Sequence, residues 1–210
     1  MKVIVFGATG SVGKHVVQQA LAQGDEVTAF ARNTEGLTDM DQNSLTLVNG
    51  DVFNPEDVNK AVKGQEVVCI TLGSGRARKG TVRSQGTQNV IEAMKTYGVK
   101  RLICQTTLGA GDSKGNLNFF WKHIMFGWFL KEVFIDHELQ EQYVMRSGLD
   151  WTIVRPSAFT DGDKTSQYYH GFGTEKSALK LKISRADVAD FILKQTHNDQ
   201  YLRQTPGVSY

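Results

Sequence analysis

The sequence predicts an α/β protein, one domain spanning residues 1–210, built on a doubly wound, mainly parallel sheet. Three observations carry this. Lys2-Val3-Ile4-Val5-Phe6 is an apolar, β-branched run that passes at once into Gly7-Ala8-Thr9-Gly10-Ser11-Val12-Gly13 and then a helical stretch. Further strand-like runs alternate with helical stretches, the pattern of parallel strands joined by crossover helices. Residues 66–72 are almost wholly apolar, as expected of a strand covered on both faces. A chain of 210 residues is long enough for one substantial core.

The opening strand, glycine turn and helix (residues 12–23) come first. Such a unit presents backbone N–H groups and the positive end of a helix to an anion. Of the three glycines, one turns the chain, one lets a pyrophosphate approach and one lets helix and strand pack closely. Gly10 is expected to be the point of approach. The spacing is G-x-x-G-x-x-G, a variant of the dinucleotide fingerprint of the Rossmann fold. Gly7, Thr9, Gly10, Ser11, Val12 and Gly13 are therefore cofactor-binding candidates. Gly24 suits a left-handed helix end, and residues 26–31 form the second strand. Where a carboxylate would bind the ribose hydroxyl of NAD, this chain has Arg32, which suits the 2′-phosphate of NADP. An ordinary exposed loop arginine is the plainer alternative.

A polar loop over 34–44 leads to the third strand, 45–48. Asn54 and Pro55 are the N-cap and first residue of a helix. The fourth strand hands over at Leu72 and Gly73, both cofactor-binding candidates, to the basic segment 73–80. That segment either closes over phosphates or is merely solvated. A helix over 82–97 precedes the fifth strand, 100–105. Ligands of such sheets bind outside the carboxyl ends of the strands, so Thr106 is a candidate for facing the nicotinamide. Thr107 is a candidate catalytic residue that orients donor and acceptor. Residues 116–147 read as helix, in one piece or two, and its first half is dense in aromatics from Phe119 to Phe129. These suit a core or an oligomer face over 119–135 more than a cofactor box, although some are placed to cover a planar ring. The sixth strand, 150–154, ends in Arg155-Pro156-Ser157-Ala158-Phe159. Pro156 and Phe159 are cofactor-binding candidates, and Ser157 is the second catalytic candidate. After a polar loop (160–177) and a short strand within 179–183, Ser184 to Asp187 form a capping box for a helix over 188–196.

Composition narrows the function. With 24 basic against 22 acidic residues, no general attraction to nucleic acid is expected. Cys69 and Cys104 read as buried free thiols, which favours a reducing, cytoplasmic setting. The apolar start is too short for a signal peptide, and charges interrupt residues 117–135, so no membrane span is expected. His, Cys, Asp and Glu do not cluster at metal-ligand spacing, so no metal is expected.

Gly7-Ala8-Thr9-Gly10, Gly50-Asp51-Val52, Ser147-Gly148-Leu149, Arg155-Pro156 and the run from Ile183 to Ala189 occur in order across nearly the whole chain. In this the sequence resembles the atypical short-chain dehydrogenases/reductases of the NAD(P)H-binding, NmrA-like group, with the nearest likeness to the biliverdin-IXβ reductase/flavin reductase family. The resemblance implies NADPH as cofactor, a flavin or linear tetrapyrrole as acceptor, and Asp51 and Val52 along the adenine. It also aligns His137 with a flavin-reductase histidine, although a satisfied core or helix-surface histidine is the favoured reading. Departures are visible. No tyrosine has lysine four residues on, and Tyr143 is followed by Ser147, so proton transfer from a Tyr-x-x-x-Lys pair is not expected. Thr107 stands where the biliverdin-reducing relatives have serine, and Ser157 where they have histidine. The expected activity is hydride delivery to a planar acceptor. A protein that binds NADP(H) without turnover, as redox sensor or assembly factor, is the alternative.

Overall fold

The apolar residues after Lys2 build the innermost part of a sheet whose two faces are both covered. The computed structural model describes residues 1–40, 43–73, 75, 80–111, 113, 131–172 and 179–210. Its elements in chain order are β1 (Lys2–Phe6), α1 (Gly13–Ala22), β2 (Glu26–Ala31), β3 (Leu45–Asn49), α2 (Pro55–Val62), β4 (Val67–Ile70), α3 (Val82–Tyr97) and β5 (Arg101–Gln105). They continue with α4 (Lys131–Met145), β6 (Asp150–Pro156), β7 (Ala158–Thr160), β8 (Tyr169–His170), β9 (Lys182–Ser184), α5 (Arg185–Thr196) and β10 (Gly207–Ser209).

The main sheet has eight strands in the order β3-β2-β1-β4-β5-β6-β10-β8. All its pairings are parallel except that of β10 with β8. The first six strands follow the Rossmann order, and the direction of winding reverses between β1 and β4. A crevice at the carboxyl ends is the geometric result. β7 and β9 pair separately as a parallel two-stranded sheet beyond the end of β6. It carries Phe159 out to the rim.

Alternation along the strands feeds two cores. Val3, Val5, Ile103 and Val154 pack with Val16, Val17, Val188 and Phe191 of α1 and α5. Ile4, Phe6, Leu102 and Cys104 pack with Val58, Val90, Met94 and Val144 of α2, α3 and α4. Both cysteines are free and buried, as expected, and burial pushes the Cys69 thiol up to about 12. Asn54 caps α2 by accepting from the Glu56 amide at 3.0 Å, with Pro55 in the first turn.

The structure differs from expectation at three places. β7, β8 and β10 add three strands that the sequence does not announce, because each is very short and depends on a partner distant in the chain. The capping box of α5 is only half formed. Ser184 Oγ accepts from the Asp187 amide at 3.0 Å, but the Asp187 carboxylate turns away to other partners. Of the long helix expected over 116–147, residues 131–145 are α4, and the aromatics 119–129 lie outside the described residues. No helix among the described residues is long and apolar enough to cross a membrane.

Candidate active site

A cavity of about 830 Å³ opens along the carboxyl ends of the strands, within the range typical of small-molecule and cofactor sites. The glycine turn forms one wall. Gly7 takes a left-handed φ of +82°, turning the chain out of β1. A Cβ on Gly13 would sit 2.2 Å from the Gly7 carbonyl oxygen, so only glycine lets α1 start this close to the strand. Gly10 lines the cavity, and its place is fixed from within the turn. Its amide is spent on the Gly7 carbonyl at 2.9 Å, and a Cβ there would crowd that same oxygen at 3.0 Å.

Beside it, the residues leading into α1 face the cavity. Its N-cap residue, Val12, supplies no side-chain acceptor, and the first turn holds no acidic residue. By contrast, α2 and α5 are capped by Asn54 and Ser184. The first N–H groups of α1 thus lack a side-chain cap beside the cavity that Ser11 and Val12 line, an arrangement suited to a phosphate. Arg32 lines the same end, exposed, with no carboxylate paired to it among the described residues. Lys14 extends its ammonium to the adjoining loop, 3.2 Å from where a Cβ on Gly36 would lie. These residues fit the phosphates of a dinucleotide.

Asp51 and Val52 line the cavity next to Phe53. The Asp51 carboxylate accepts from the Phe53 amide at 3.0 Å, and the Asp51 amide donates to Asp57 at 3.1 Å. Leu72, Gly73, Thr106, Thr107, Pro156, Ser157 and Phe159 also line it. Of the residues expected from sequence, Gly13 alone is absent from the lining; it serves by packing beneath the turn. Residues 76–79 of the basic segment lie outside the described residues.

The hydroxyls differ in how free they are. Thr106 Oγ1 donates to Glu141 Oε1 at 2.7 Å, so this hydroxyl is committed to the interior rather than to a ligand. Ser157 Oγ donates to Ser209 Oγ at 3.1 Å, leaving it only lone pairs to offer. Thr107 Oγ1 makes a single long contact, 3.4 Å, to the Leu108 carbonyl and is half-buried. Thr107 is the hydroxyl with freedom to turn toward a ligand.

Beneath these residues lies a buried charge network that sequence reasoning missed. Glu141 takes Arg155 in a bidentate pair, Nε to Oε1 at 3.0 Å and Nη2 to Oε2 at 2.7 Å, with both side chains almost fully buried. Asp136 accepts from the backbone amides of Arg83 and Ser84 at 3.1 and 3.0 Å, capping α3 from α4. His137 follows it, buried, and lines the cavity with its Nδ1 3.3 Å from Gln140 Oε1. Burial pushes its pKa down to about 3 and the Arg83 charge pushes the same way, so the imidazole is neutral near neutral pH. Tyr143, the tyrosine weighed for a proton-transfer role, packs against the α2–α4 core and does not line the cavity. Among the described residues, no group of three or more His, Cys, Asp or Glu side chains is placed to hold a metal ion.

The model of the NAD(P)H-binding family matches residues 7–199. The chain belongs to that family. It is 24% identical over 220 residues to the photosystem II assembly factor Ycf39 of Synechocystis, covering 98% of this chain and 61% of that protein's length. Among solved structures, the anaerobillin reductase ChuY of Escherichia coli O157:H7 superposes with a TM-score of 0.82, at 25% identity, over 99% of this chain and 96% of that one. A short-chain dehydrogenase/reductase of Veillonella parvula in complex with NADP gives the same TM-score at 16% identity, over 99% and 94%, a likeness of fold. The resemblance read from the motifs is thus borne out at the level of the NAD(P)H-binding group.

Proposed function

We propose that the protein is an NADPH-dependent oxidoreductase that delivers hydride to a planar acceptor, a flavin or a linear tetrapyrrole. One observation carries this reading. A single cavity runs from the uncapped start of α1 and Arg32 to Thr107, Ser157 and Phe159, and no tyrosine among its lining residues stands ready as an acid. Bound NADPH supplies the hydride. The amides at the start of α1 would hold the pyrophosphate, and Arg32, with Lys14 close by, would hold the 2′-phosphate. Thr107 orients the reacting partners by a hydrogen bond without acting as an acid. Ser157 accepts but does not donate. Phe159, 37% exposed at the rim, offers a face to a planar ring. An acceptor ring whose redox chemistry is its own needs orientation from the protein, and solvent can supply protons. ChuY, a reductase by name with this fold, supports a tetrapyrrole among the acceptors.

A second reading, a cofactor-binding assembly protein that turns nothing over, is favoured by the match to Ycf39. Stopped-flow oxidation of bound NADPH by excess FMN, and separately by biliverdin, divides the two. The expected outcome is single-turnover oxidation by at least one acceptor, slowed roughly tenfold by Thr107→Val, the worth of one neutral hydrogen bond. Tyr143→Phe should leave the rate near wild type, whereas loss of a real acid would cost about a hundred- to ten-thousandfold. Oxidation no faster than in protein-free solution with both acceptors would favour the assembly reading.

A further inference from the structure

Gln105 is the last residue of β5. Alternation puts it on the same face of the sheet as Ile103, whose side chain belongs to the core under α1 and α5. It lines the cavity at 8% exposure, and its Oε1 is fully buried with no hydrogen-bond partner. The neighbouring hydroxyls are already spent, Thr71 on the Phe6 carbonyl, Thr106 on Glu141 and Ser157 on Ser209. A buried acceptor left in this state is costly, and the cavity is where a ligand can supply its donor. β5 lies three strands from β2, roughly 14 Å across the sheet from the strand that Arg32 follows. Gln105 therefore sits in the half of the cavity away from Arg32. It also sits on the floor, whereas Phe159 stands at the mouth where an acceptor would enter. The ligand that reaches it is the one bound deepest.

We propose that Gln105 positions the nicotinamide ring, its Oε1 accepting a hydrogen bond from the carboxamide NH₂ of the cofactor. The proposal rests on the cofactor reading above. The carboxamide NH₂ is the one strong donor that a nicotinamide ring carries, and it matches the one orphaned buried acceptor among the described residues that line the cavity. Holding it fixes which face of the ring is turned toward the acceptor.

Calorimetric titration tests this with NADP⁺, with its acetylpyridine analogue, in which a methyl group replaces the NH₂, and with adenosine 2′,5′-bisphosphate, which has no nicotinamide. Wild type should prefer NADP⁺ over the analogue by about five- to tenfold, one neutral hydrogen bond. Gln105→Met, similar in length and without the acceptor, should bind both equally while binding the bisphosphate as wild type does. A preference that survives in Gln105→Met, or that is absent in wild type, would overturn the proposal. So would an equal loss for all three ligands, which would make Gln105 a residue of the fold. A wild type that does not bind the bisphosphate would overturn the cofactor reading itself, and this proposal with it.

Discussion

Arg32 directly follows β2 without a carboxylate partner among the described residues, so its charge is available to a ligand. Charge-assisted hydrogen bonds from a guanidinium to a phosphate are worth about 1.5–3 kcal/mol. Arg32→Ala should therefore weaken NADPH binding about ten- to a hundredfold and leave NADH binding nearly unchanged. Fluorescence titration of both cofactors against both proteins measures it. Equal NADPH affinity in the two would remove Arg32 from the site. This residue was legible because its position follows from chain order alone, at the end of the strand after the glycine turn. Gln105 was not. Nothing in a strand ending Cys104-Gln105-Thr106 reveals that one amide oxygen will be buried without a partner.

The elements that the sequence announced best are those with strong local signals. The bounds of β2 and α3 agree with the apolar runs and turn residues that flank them. α4 lies within the helix expected over 116–147, but which of its faces is buried was not legible. Its buried residues are Phe134, Asp136, His137, Gln140, Glu141 and Val144, mostly polar, so the apolar periodicity that reveals a packed helix face is missing. The partners that justify burying them lie far away, Ser84 for Asp136 and both Arg155 and Thr106 for Glu141. α5 conceals a similar role. The Asp187 carboxylate accepts from the Thr165 and Ser166 amides, both at 2.8 Å, and from the Thr165 and Tyr210 hydroxyls. Those bonds fasten the irregular stretch after β7, where Ser166 adopts a left-handed φ of 56°. Asp187→Asn should release it at a cost of about 1.5–3 kcal/mol, the worth of a hydrogen bond to a charged group. Hydrogen exchange should rise in residues 161–168 while cofactor affinity holds. Protection unchanged from wild type would show that the stretch is held by other contacts.

At the scale of the whole molecule, His137 and Asp187 set the response to acid. The folded protein keeps His137 neutral down to about pH 3, whereas in the unfolded chain it takes up a proton near pH 6.5. The unfolded state therefore binds more protons in that window, and stability falls as pH drops, by up to about 1.4 kcal/mol per unit. His170, shifted down in the same direction by burial and by Lys194, adds to the slope. Burial alone would raise the Asp187 carboxyl, but its hydrogen bonds from Tyr210, Thr165 and Ser166 outweigh this and hold it below its ordinary value. Its contribution is present above about pH 3.8 and is lost as pH falls through the lower, folded value. Urea denaturation between neutrality and about pH 4 should show the first loss, and His137→Gln should flatten most of it. A variant with the wild-type slope would mean that His137 is protonated in the fold. The Glu141–Arg155 pair constrains the molecule over a longer span, that of descent. Changing either residue alone strands a buried charge at a cost of about 3–5 kcal/mol, much of what a domain has, whereas an apolar pair of like volume can be neutral. Neither intermediate survives easily, so a lineage must exchange both in one step or inherit both together.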